Sequence, residues 1–121
     1  MINISLLLGG GPNLSSTVTF EQYRELLAEI DSRYSRARDG YDFDFKSEVE
    51  PFLDNNKQLA YHLESIKTDE RLTPIVRQTM SDELMELLMS CHIPRFSLKL
   101  YYEKFKYINM WINHANVEGL L

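Results

Sequence analysis

One cysteine, one tryptophan and four prolines are all that this 121-residue chain holds of those residues, and it has no long apolar run. A lone Cys91 cannot close an internal disulfide, which fits a reducing compartment and predicts a cytoplasmic protein. Nothing approaches the roughly 18 consecutive apolar residues of a membrane span. Ile4 to Leu8 is short and has no basic segment before it, so it makes a poor signal peptide. Excess positive charge is missing too. With 13 basic and 18 acidic side chains the net charge is −5, and a mean negative field repels phosphate. The expectation is therefore no nucleic acid and no membrane partner. Glycine is scarce, and three of the five stand together at Gly9–Gly11.

What remains is 44% hydrophobic and 26% charged, the profile of an ordinary globular domain long enough to bury a core. Residues 1–16 stand apart, with no charged side chain and with glycines and Pro12 that block regular structure. They read as a flexible tail. A second reading is translated upstream sequence, because glycine codons can spell a purine-rich ribosome-binding core, with Leu14 as a TTG initiator. Residues 17–121 then form the single domain.

Four amphipathic segments follow. The first runs from Phe20 to Arg38, with Thr19 and Gln22 at capping-box spacing and Gly40 as terminator. Its seam is Tyr23, Leu26, Leu27, Ile30, Tyr34 and Ala37. Asp42 or Asp44 is placed to cap a short turn, with Phe43 and Phe45 tacking it down. Pro51 suits the first residue of a second helix; otherwise it kinks a continuous one. Phe52, Asn56, Leu59, Leu63 and Ile66 follow at helical spacing. Asn56 is polar on an apolar stripe, so it needs a partner or the helix edge. After the polar link Thr68–Thr73, a third helix starts near Pro74, with Thr73 as cap and Met80, Leu84, Leu87, Leu88 and Cys91 as seam; Val76 is a candidate to join. Pro94 stops it, Ser97 caps a fourth, and Leu98, Tyr101, Phe105, Ile108, Ile112 and Ala115 fall in one stripe ending near Gly119. Short links between four such segments predict an all-α, antiparallel four-helix bundle.

Asp42-Phe43-Asp44-Phe45, Val49-Glu50-Pro51-Phe52, Gln78 and Pro94-Arg95-Phe96-Ser97-Leu98-Lys99 occur in an order and spacing that resembles the YppE-like family of small bacterial proteins. The resemblance runs from about Phe20 and implies a four-helix bundle. It brings no catalytic residues to carry over.

Chemistry-bearing patterns are thin. Cys91 and His92 are adjacent and would point about 100° apart on a helix, and His62 and His114 have no ligand partner at helical spacing. No metal and no cofactor are expected. Asp39, Asp42, Asp44, Glu48 and Glu50 lack the order of a calcium loop, because Gly40 precedes most of them. Ser90-Cys91-His92 is adjacent in sequence, which does not bring a nucleophile to a base. No catalytic residues are assigned, and the chain is expected not to be an enzyme.

The fourth helix carries a second apolar flank: Leu100, Tyr107 and Trp111, with Lys104 among them. Aromatics beside a basic residue are typical interface anchors. The sequence therefore predicts an uncharacterised protein acting by protein–protein contact through these four residues, itself a monomer or weak homodimer. The alternative is a ligand-binding or enzymatic bundle with an interior polar site, drawing on Asn56, His62 or His92. A narrower form of the first reading is an acidic inhibitor that meets a basic partner through Asp39–Glu50.

Overall fold

A computed structural model describes residues 17–121. The tail expected over residues 1–16, and the initiator expected at Leu14, lie outside the described residues. The described chain is all-α. Its elements are α1 (Phe20–Arg38), a single wide π turn (Phe45–Val49), α2 (Glu50–Leu63), α3 (Pro74–Ser90) and α4 (Leu98–Val117).

The ends are set locally. Thr19 accepts a bond from the Gln22 N–H while the Gln22 side chain accepts one from the Thr19 N–H, closing the capping box. Thr73 accepts from Val76 and Ser97 from Leu100. Gly40 (φ +107°) and Gly119 (φ +70°) end α1 and α4 in the left-handed region. At each, two N–H groups turn back on the last turn: Gly40 to Ala37 and Tyr41 to Arg36, then Gly119 to Asn116 and Leu120 to Ala115. This paired closure satisfies carbonyls that a bare helix end leaves orphaned.

Pro51 stands in the first turn of α2, within one residue of its expected place, but no fresh helix begins there. The helical path begins six residues earlier, at Phe45, capped by Asp44, whose carboxylate accepts from the Ser47 N–H and hydroxyl. A proline inside a continuous helix clashes with the carbonyl four residues back. Here the preceding turn is widened to i→i+5 bonding, with Glu50 donating to Phe45, so the proline follows a loosened turn.

Long-range contacts define the packing. Tyr23 near the start of α1 donates to the Leu59 carbonyl near the end of α2 at 2.7 Å. Phe52 at the start of α2 meets His92 just after α3. Tyr101 at the start of α4 donates to Asp31 on the second half of α1 at 2.8 Å. Each pair joins the start of one helix to the end of its neighbour, so the helices run up, down, up, down. The α2–α3 contact is the most extensive, α3–α4 comes next, and direct α1–α2 packing is sparse.

The predicted seams form one core. All six α1 positions are buried, as are Phe52, Leu59, Leu63, Ile66, Met80, Leu84, Leu87, Leu88 and Cys91. On α4, Tyr101, Ile108, Ile112 and Ala115 are buried, whereas Leu98 is 43% exposed and Phe105 half-buried. Leu98 is the first residue of α4, at the exposed end of the stripe. Leu72 and Leu120 add apolar plugs from the connections; the Lys67 N–H donates to the Leu120 carbonyl and draws the C-terminal residues onto the α2–α3 link. A filled core of this kind is worth a great deal: truncating one such leucine costs about 2–5 kcal/mol.

Candidate functional site

Leu100, Lys104, Tyr107 and Trp111 fall at steps of four, three and four, so they form one row along α4. The row lies beside α3 and is graded in cover. Leu100 is 47% exposed, and Tyr107 and Trp111 are half-buried against the core. The two rings meet edge to face at 6.4 Å between centroids. Trp111 then meets the His114 ring at 5.3 Å, and His114 Nε2 lies 2.8 Å from an Asp69 carboxylate oxygen. Asp69 also accepts from the Arg71 and Leu72 N–H groups, and these bonds, the Leu72 one foremost, hold its carboxyl below the usual range. The aromatic end of the row is thereby fixed to the α2–α3 link.

Lys104 is not a free cation. Its ammonium bridges Glu83, at hydrogen-bond distance, and Glu86 at 3.2 Å, both on α3. The Glu83 bond, followed by Glu86, raises its pKa. Two carboxylates facing one ammonium leave the row's edge with one uncompensated negative charge.

The interior-site candidates do not converge. Asn56 donates its amide N–H to the Phe52 carbonyl one turn back and sits half-buried at the helix edge. Six residues on, His62 projects about 240° around the helix from Asn56, and its buried Nε2 finds no protein partner among the described residues. His92 lies at the other end of α2, in a node that sequence reasoning missed.

That node centres on Arg33. Its guanidinium donates to His92 Nε2 at 2.9 Å and to the Glu48 carbonyl at 3.2 Å, and its Nε donates to Glu29 at 2.8 Å. It also lies over the Phe52 ring at 4.1 Å and near Phe43 at 5.5 Å. An arginine can only donate, so His92 Nε2 accepts and the imidazole proton sits on Nδ1, 3.3 Å from the Met89 carbonyl. Burial, supplemented by the Arg33 charge, pushes the His92 pKa down. Cys91 Sγ lies 3.6 Å from His92 Nδ1, closer than a 100° separation on a helix suggests, because His92 already belongs to the turn. The contact does not make a reactive pair: burial pushes the Cys91 thiol up to about 12. Among the described residues no three His, Cys, Asp or Glu side chains are grouped to hold a metal ion.

The acidic turn is satisfied in part, with Asp44 and Glu48 bonded internally and Asp39 and Asp42 exposed. Glu48 accepts from the Tyr41 hydroxyl and the Asp44 N–H, which lower its pKa, and the Ser47 bonds lower that of Asp44. Arg36 lies over Tyr41 and Phe43. Phe43 tacks the turn down against His92, as expected, while Phe45 is 50% exposed and does not. Phe45 is the first residue of the π turn.

Helix order, seam placement and the Pro94–Ser97 turn together define an all-α four-helix-bundle protein of about one hundred described residues. The chain belongs to a bacterial domain family of unknown function, DUF1798, whose model matches residues 20–115. No curated protein and no solved structure matches it. No helix among the described residues is long and apolar enough to cross a membrane.

Proposed function

We propose that this protein acts without catalysis, by binding another protein through the α4 row of Leu100, Lys104, Tyr107 and Trp111. It does so in the cytoplasm, as a monomer or weak homodimer, and within its family it is of the YppE-like kind. The partner surface is an apolar segment flanked by a basic residue. One observation carries this reading: Lys104 is held between Glu83 and Glu86, so an exposed leucine and an aromatic pair border a fixed, uncompensated carboxylate. An apolar anchor beside a complementary charge is the composition of an interface hot spot. In the acidic turn Asp44 and Glu48 are already engaged by Ser47 and Tyr41, and burial holds the Cys91 thiol in its protonated form.

The test is capture of the partner by wild type and by two variants. Leu100→Asp touches an exposed side chain and should leave the helical CD spectrum intact while weakening capture about tenfold or more. Trp111→Ala should weaken it as well, with some loss of stability because Trp111 also packs on the core. Undiminished capture by folded Leu100→Asp would remove the row from the interface.

A further inference from the structure

We propose that the groove between α1 and α2 is a binding site for an organic cation: an ammonium or guanidinium head on a short alkyl stem. Its source is a lysine or arginine side chain or a free alkylamine. The groove exists because α1 and α2 pack sparsely on each other while both pack on the rest of the bundle. It has a volume of about 280 Å³. Leu26, Phe52 and Leu59 are buried and make an apolar floor, matched to methylene groups.

The walls select the head. Glu25 and Glu29 of α1 face the groove, and no basic side chain lines it. Arg33 already neutralises Glu29 through one carboxylate oxygen, so the groove keeps a net charge of about −1, held at Glu25. Across from it, Asn56 spends its N–H on the Phe52 carbonyl and Gln58 spends its N–H on the Asn55 carbonyl. A carbonyl acceptor demands the amide nitrogen, which fixes the amide orientation and leaves each of Asn56 and Gln58 an unspent oxygen acceptor beside one remaining N–H. Gln22 and Asn55 sit exposed at the mouth. A donor-rich head with one positive charge and an apolar stem is what this lining complements. Asn56, the polar residue in an apolar stripe, is thereby placed in the lining of this groove.

The experiment is amide NMR of the full ¹⁵N-labelled chain, titrated separately with butylammonium, a capped Gly-Arg-Gly peptide and neutral butanol. Saturable shifts over residues 22–29 and 52–59 with either cation, and none with butanol, are expected. Glu25→Gln, an exposed and conservative change, should weaken the response about tenfold without moving the thermal midpoint. If the peptide is tighter than the amine, the source is a partner's side chain; equal strength makes the free amine sufficient, and either order supports the site. Shifts scattered across acidic positions outside both surfaces, such as Asp39 and Asp82, an unchanged response in Glu25→Gln, or no saturation by tens of millimolar would overturn it. The site is independent of the α4 row, so either can fail alone.

Discussion

Replacing Arg33 with methionine should be among the most damaging changes that leaves the apolar core intact. Methionine keeps an unbranched apolar stem but removes every donor and the guanidinium over Phe52. Two bonds from a charged donor go, to the Glu48 carbonyl and to His92 Nε2, each worth about 1.5–3 kcal/mol in favourable cases. The stacking on Phe52 adds about 1 kcal/mol. The Glu29 pair adds only about 0.3–0.5 kcal/mol, since that carboxylate is 46% exposed. These groups share one cation, so the losses do not sum. The Glu48 carbonyl can recover a water, whereas His92 is 7% exposed and its Nε2 cannot recover one readily. A net loss of about 3 kcal/mol follows, equivalent to roughly 10 °C in thermal midpoint for a domain of this size. Urea unfolding followed by CD, with thermal melts, measures it. Hydrogen exchange should in addition accelerate at residues 41–49, the segment Arg33 ties to α1. A loss below about 1 kcal/mol, with unchanged exchange there, would refute the reasoning and reduce the node to a surface contact.

The same node makes stability sensitive to mild acid. The folded-state pKa of His92 lies below the value of a free imidazole, so the unfolded chain binds the extra proton first and stability falls as pH drops below about 6.5. Comparing urea midpoints at pH 7.5 and 5.5 should show this, and His92→Gln should flatten the difference. Cys91, buried and with its thiol pushed up to about 12, should resist iodoacetamide at pH 8 in the folded protein and react readily in urea; fast native labelling would contradict its placement. Tyr23→Phe removes a buried 2.7 Å bond to the Leu59 carbonyl and should cost about 1 kcal/mol by urea unfolding, with no change in helical content.

Local chemistry was the legible part of this fold. The start of each of α1, α3 and α4 depends on a side chain three residues from the N–H it bonds, so Thr19, Thr73 and Ser97 could be read from spacing alone. Seams were legible because burial follows the helical period. Leu72 and Leu120 were missed because each is a single apolar residue in a polar or terminal stretch, with no period to mark it. The π turn was missed because a proline near a helix start permits both a fresh start and a loosened continuation, and only the bonding pattern distinguishes them. The Arg33–His92 pair joins residues 59 apart and of like character, which no spacing or charge pattern brings together. The groove depends on a gap between two helices, a property of packing rather than of either stripe; the one trace of it in the sequence is Asn56 on an apolar face. The α4 row was legible as a row, but the engagement of its lysine by Glu83 and Glu86 was not.

The docking of a partner on that row can be trapped covalently. Photo-crosslinking tests it most directly, with benzoylphenylalanine placed at Leu100 and, as a control, at Arg24, an exposed position on α1. In cells producing the protein, irradiation should give a discrete protein adduct from position 100, lost when Trp111→Ala is added, and no matching adduct from position 24. The same ladder from both positions, or no adduct from position 100, would contradict the claim.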